Sequence, residues 1–306
     1  MTIVKRRSFL HIAAGSVIAA GQRASAAPFP IVDTHIHLFD TARPQGVPWP
    51  EKTNAALYKP ALPERYKKLA VPLGITGAIV VEASSWFDDN QWVLDLIAKD
   101  PLFLGMVGNL EVGKPEFARQ LERFQPNPLF RGVRYGNIWG RNLANEVDKP
   151  KFIADLKLVA QANLSLDTAN QNAEMLKAAI TIADKIPDLR IIIDHLPQMV
   201  PTDEQVRELA SRPKIFVKLS AVYRKIDGKV PRELSVYRDT LDRIFSGMGE
   251  DRVLYGSDWP NSDNWRPYPD VFHLVEEYFK TKGQAAAEKY FAKNSQKAYL
   301  WKPRKI

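Results

Sequence analysis

The chain has 306 residues, 45% of them hydrophobic and 25% charged, which is enough to bury a large core without crosslinks. It contains no cysteine, so disulfides, a thiolate nucleophile and a cysteine-ligated zinc site are all excluded. The formal charge is +8, but beyond the N-terminal segment no run of five like charges occurs, so a nucleic-acid partner is not indicated.

Four of the basic residues, Lys5, Arg6, Arg7 and Arg23, fall in the first 26 positions, which hold no acid. Without them 39 basic residues face 35 acidic ones, a balance of +4. Lys5-Arg6-Arg7-Ser8-Phe9-Leu10 leads into the apolar segment Ile12–Ala20 and the small-residue site Ala24-Ser25-Ala26. A basic start, a short apolar stretch and such a site predict a cleavable signal peptide over residues 1–26. The paired arginines before Ser-Phe-Leu resemble a twin-arginine signal, implying folded export by that machinery to the periplasm or beyond. The apolar segment is about half the roughly 20 residues a membrane span needs, so no membrane association is expected after cleavage.

From residue 31 onward, short β-branched runs alternate with longer amphipathic ones. Strands are predicted at Ile31–Leu38, Thr76–Ala83, Phe103–Leu110, Phe130–Arg134, Leu164–Asp167, Arg190–Asp194, Ile215–Leu219 and Val253–Ser257. Helices are predicted at Asn90–Lys99, Glu116–Phe124, Lys151–Gln161, Asn172–Lys185, Asp203–Ala210 and Leu234–Met248, where apolar residues recur three and four apart. Eight continuous apolar strands separated by helices predict one domain over 27–306, a single parallel (β/α)8 TIM barrel of the α/β class. No glycine-rich dinucleotide fingerprint follows the first strand. The proline-rich stretch Thr41–Pro63 is long for a connection and falls where a barrel carries an active-site loop.

Three histidines and an aspartate sit at strand ends, where barrels build their sites. His35 and His37 are two apart on the first strand, so the pleat turns both to one side. Such a pair suits a divalent ion or an oxyanion, although two core histidines satisfied by hydrogen bonds have the same spacing. His195 closes the sixth strand. Asp258 closes the eighth, before Pro260, and is expected across the mouth from the first strand, where a carboxylate takes a proton or binds a metal. Glu82 ends the second strand and is either a further metal ligand or a buried partner of a mouth arginine. His273 lies in a presumed outer helix and is read as structural.

Val32-Asp33-Thr34-His35-Ile36-His37 resembles the opening signature of amidohydrolase-superfamily barrels. Ile193-Asp194-His195-Leu196-Pro197 and Tyr255-Gly256-Ser257-Asp258-Trp259-Pro260 are similar to the strand-six and strand-eight motifs of the branch containing lactonases of the 2-pyrone-4,6-dicarboxylate and L-fuconolactone type. Gly132-Val133-Arg134 and Lys218-Leu219-Ser220 are shorter echoes, and the likeness spans the mature chain. Two-metal members carry a bridging lysine or glutamate on strand four and a histidine on strand five. Arg131-Gly132-Val133-Arg134 and Asp167 stand there instead.

The resemblance therefore implies at most one divalent ion, zinc by ligand chemistry, held by His35, His37 and Asp258 with Glu82 or His195 completing the shell, or a metal-free site. It implies catalysis by Asp258, His195, His35 and His37. Ser84, Trp86, Arg131, Arg134, Tyr223, Arg224 and Trp259 are expected to contact a small, anionic substrate. The implied reaction is hydrolysis of a lactone or related cyclic ester, with Asp258 activating water. The alternatives are a decarboxylase or hydratase acting on an organic acid and a non-catalytic barrel that binds sugar acids.

Overall fold

The computed structural model describes residues 29–304; the expected signal segment, residues 1–26, lies outside them. Eight parallel strands pair in sequence order: β1 (Val32–Ile36), β2 (Gly77–Val81), β3 (Phe103–Gly108), β4 (Phe130–Arg134), β5 (Ser165–Asp167), β6 (Arg190–Ile193), β7 (Ile215–Lys218) and β8 (Val253–Leu254). The sheet comes round on itself. Thr34 N donates to Tyr255 O at 3.1 Å, Asp258 N to His35 O at 2.8 Å and His37 N to Trp259 O at 2.7 Å. The predicted single-domain (β/α)8 barrel is therefore the observed architecture.

Helices cover the outside: α1 (Pro63–Ala70), α2 (Asp89–Ile97), α3 (Phe117–Phe124), α4 (Pro150–Gln161), α5 (Ala173–Lys185), α6 (Asp203–Ala210), α7 (Arg238–Met248) and α8 (Tyr268–Lys280). Each buries one apolar stripe; on α4 that stripe is Phe152, Leu156 and Val159. Two boundaries depart from the sequence reading. Helix α1 is absent from the predicted helices; Pro63, the last residue of the proline-rich stretch, opens it at a position where a missing N–H costs nothing. Strand β8 stops three residues early because Ser257 N donates to the Asp33 carboxylate at 2.8 Å rather than to a neighbouring strand.

Asp33 explains how β1 is fixed beneath the site. It is fully buried and accepts from Ser257 N, from His35 N at 3.2 Å, from Tyr66 OH at 3.1 Å and from Tyr268 OH at 3.0 Å. One carboxylate thus ties β1 to the end of β8, to α1 and to α8. Burial raises its pKa, against the hydrogen bonds from Ser257 and its other donors. Asp33→Ala strands four buried donors, and urea denaturation should show a loss of roughly 3 kcal/mol or more.

The opposite face of the barrel accounts for part of the basic charge. Helix C-termini point there, and their free carbonyls attract cations. Arg252 donates to Ala210 O at 2.8 Å and Met248 O at 3.0 Å, at the ends of α6 and α7. Arg304 donates to Ile97 O at 3.1 Å and Asp100 O at 2.9 Å, at the end of α2. These arginines hold the scaffold together at that face.

Candidate active site

Strand ends β1, β6 and β8 deliver His35, His37, His195 and Asp258 to one point. The Nε2 atoms of His37, His195 and His35 lie 3.3, 3.5 and 3.7 Å from Asp258 Oδ1. All four residues are buried. Asp258 stands beside His35 rather than across the mouth, because closing the barrel makes β8 the neighbour of β1. His195 and Asp258 have φ of 50° and 61°, left-handed values uncommon for side-chain-bearing residues and often found at functional sites.

Hydrogen bonds set the direction of each ring. His37 Nδ1 lies 3.0 Å from Val81 O and Nε2 3.3 Å from Asp258 Oδ1; with the proton on Nδ1, donated to that carbonyl, Nε2 is the atom left to ligate an ion. His195 Nδ1 meets Ser220 Oγ at 2.8 Å. Asp258 Oδ2 accepts from Asn261 at 2.8 Å, which leaves Oδ1 facing the imidazoles. Burial works to raise the Asp258 pKa, but the surrounding imidazoles, His195 foremost, outweigh it and hold the carboxyl below its ordinary range. Burial lowers the pKa of both His35 and His195 below the usual histidine value, against the pull of the carboxylates beside them.

A second layer carries charge that the sequence reading did not assign. Lys218 is wholly buried on β7, with Nζ 2.8 Å from Asp194 Oδ1, 3.1 Å from Asp167 Oδ2 and 3.1 Å from His35 Nδ1. Asp167 also accepts from Tyr299 OH and from Ser165 Oγ. Arg134 Nε lies 3.3 Å from Asp194 Oδ2, and its Nη1 is 3.6 Å from Glu82 Oε1. Burial alone would raise Asp194, yet Lys218, His35 and Arg134 together hold it well below the carboxylate range.

Among the described residues, two groups gather three potential ligands each: His35, His37 and Asp258, and His35, Asp194 and His195. The second does not fit a cation, because the Lys218 ammonium already occupies the contacts of Asp194 and His35. The first does fit. His35 Nε2 is buried with no partner. Ligands about 2.05 Å from a tetrahedral ion stand about 3.3 Å apart, close to the spacing around Asp258 Oδ1. The buried cluster also holds Glu82, Asp167, Asp194 and Asp258 against Lys218 and Arg134, a deficit that one divalent ion balances. Burial raises Asp167, and even with a proton there the cluster remains negative.

The other predicted contacts divide. Ser84 and Trp86 line a cavity with Glu82, Phe39 and Arg43 that has about 20 Å³ of room, one water-sized group. Glu82 is in neither ligand group; it accepts from Ser84 N at 3.0 Å and Trp139 Nε1 at 3.1 Å and lies 3.6 Å from Arg134 Nη1, the arrangement of its other reading, a buried partner of a mouth arginine. Arg134 is at the mouth but is spent on Asp194 and Glu82. Arg131 belongs to the opposite face, where Nη1 donates to Leu300 O at 3.2 Å. Trp259 is fully buried under the Arg65 guanidinium and the Tyr66 ring. Tyr223 packs edge-on to Tyr237 with its hydroxyl directed at Asp270 O, and Arg224 lies over Tyr237. Arg131, Trp259, Tyr223 and Arg224 therefore leave the candidate set. His273 faces outward on α8 beside Glu276, away from the site.

Known proteins bear on this geometry. An L-fucono-1,5-lactonase of Burkholderia ambifaria is 26% identical over 240 residues, covering 76% of this chain and 80% of its own. A 4-sulfomuconolactone hydrolase of Hydrogenophaga intermedia is 26% identical over 243 residues, covering 75% and 74%. In structure, a zinc-bound amidohydrolase from Burkholderia multivorans superposes with a TM-score of 0.79 at 20% identity, over 89% of this chain and 100% of that one. Residues 32–301, the span from β1 to the C-terminal segment that contains every residue of the cluster, match the amidohydrolase family, and the chain belongs to it.

Proposed function

We propose that this enzyme opens a lactone ring by adding water to its carbonyl. The observation that carries the reading is the convergence of three imidazoles on one ionised carboxylate oxygen at the barrel mouth. The lactonase names of the relatives support the same reaction class. Asp258 Oδ1 orients a water molecule and draws its proton as the water oxygen bonds to the carbonyl carbon. His195, held neutral by burial with Nε2 3.5 Å away, shares that proton and offsets the weak basicity of so acidic a carboxyl. The carbonyl electron pair moves onto oxygen; when it returns, the ring C–O bond breaks and the proton passes to the leaving alkoxide. A divalent ion on His35, His37 and Asp258 would supply positive charge for the carbonyl oxygen.

His35 has two modes. With Nδ1–H directed to Asp194 Oδ1, 3.5 Å away, its Nε2 is free to ligate. With Lys218 donating to Nδ1, Nε2 carries the proton and serves as a hydrogen-bond donor to the substrate carbonyl. We favour the ligating mode, because Lys218 already has two carboxylate acceptors. Elemental analysis of gently purified protein should find about one equivalent of a first-row divalent ion, zinc by ligand preference. Two equivalents contradict the charge argument, and full activity without metal selects the donor mode.

Release of acid from a panel of γ- and δ-lactones tests the reaction itself. Ring opening supports the reading, and silence across the panel with decarboxylation of an aromatic acid replaces it. We further infer that residues 1–26 direct folded export and are then removed. Replacing Arg6 and Arg7 by lysine should leave the precursor in the cytoplasm, and normal export of that variant would contradict the inference.

A further inference from the structure

Trp139 lies in the connection between β4 and α4 and was not singled out by any sequence motif. Its φ is 57°, left-handed and costly for so bulky a residue. The strained backbone sends its indole across to the end of β2, where Nε1 is 3.2 Å from Glu82 Oε1 and 3.1 Å from Oε2. The loop is pinned on both sides. Arg141 donates to Asn109 Oδ1 at 2.7 Å and to Glu111 Oε1 at 2.5 Å, while Asn137 and Asn170 exchange hydrogen bonds. Trp139 is thus a fixed wall that orients Glu82.

Glu82 keeps accepting capacity. Its oxygens offer about four lone-pair positions, and the indole N–H and Ser84 N are its two hydrogen-bond donors. It lines the small cavity at the mouth, two residues from Ser84 and one past Val81, whose carbonyl fixes the His37 ring. Arg43 is paired with Asp89 at 2.8 Å, Arg134 with Asp194 at 3.3 Å and with Glu82 itself at 3.6 Å, and Arg141 with Glu111 at 2.5 Å. A substrate carboxylate would meet like charge at Glu82, and Arg134 beside it is already shared between Asp194 and Glu82. A ring hydroxyl would instead donate to Glu82, whose carboxylate has acceptor positions left.

We propose that Glu82, oriented by Trp139, is a specificity-determining acceptor for ring hydroxyls, so that the substrate is a neutral polyhydroxylated lactone rather than a carboxylated ring. The inference rests on the lactonase reading and replaces the anionic substrate expected from the sequence. The test compares kcat/KM for an aldono-1,5-lactone with that for unsubstituted δ-valerolactone in the wild type, Glu82→Gln and Trp139→Phe. The ratio should fall at least about tenfold in Glu82→Gln, chiefly through KM, and in the same direction in Trp139→Phe, which removes only the N–H. A merely structural role moves both substrates together. Ratios within twofold of wild type in both variants, or a wild type that prefers a dicarboxylated lactone, overturn the inference. If the wild type opens no lactone, the lactonase reading fails, and calorimetry with the corresponding polyhydroxylated δ-lactam decides this one separately. Wild-type binding that weakens tenfold in Glu82→Gln supports it, and absence of wild-type binding overturns it.

Discussion

Replacing Asp258 by asparagine is expected to lower kcat for lactone opening by at least about a hundredfold, the low end for losing a proton acceptor. The amide matches the carboxylate in shape, and a swap of its orientation can keep an acceptor toward Asn261, so the fold should survive. What disappears is the charge that three imidazoles converge on, and with it the carboxylate ligand of the ion site. Steady-state kinetics beside an unchanged circular dichroism spectrum separate this from unfolding. Turnover within a factor of three of wild type would remove Asp258 from the mechanism.

Lys218→Met should have the largest effect on stability. The methionine fills a similar volume but leaves Asp167 and Asp194 buried together without the ammonium that lies 3.1 and 2.8 Å from them. Breaking a buried ion pair from one side costs about 3–5 kcal/mol, a large share of the total stability of an ordinary domain. The same change frees the His35 Nδ1 contact, so activity should fall with stability even where the variant is folded. Urea denaturation with kinetics at low denaturant measures both. A loss below about 1 kcal/mol would mean that Asp167 and Asp194 are not ionised together around this lysine.

The barrel was legible because eight short apolar runs alternate with amphipathic segments, and the ends of three of those runs carry His35, His37, His195 and Asp258. Their meeting point follows from strand order alone. The errors have physical causes that the sequence partly displays. Arg131 is the second residue of β4 and Arg134 the last, so their places along the strand already set them toward opposite ends of the barrel. Lys218 and Asp194 read as polar residues near the ends of apolar strands; the register of β6 against β7, which pairs Ile193 with Val217, brings the two residues that follow within 2.8 Å of each other. Trp139 was beyond reach, because nothing in an irregular loop announces a left-handed tryptophan whose partner lies 57 residues away.

The central claim is that water adds to a lactone carbonyl at the Asp258 centre, and isotope incorporation tests it most directly. Ring opening in 18O-labelled water, followed by mass spectrometry of the product, should place one label in the new carboxyl group and none in the released hydroxyl. The rate of incorporation should fall in Asp258→Asn in step with kcat. Label in the hydroxyl oxygen, or loss of carbon dioxide in place of a ring-opened acid, would contradict the account.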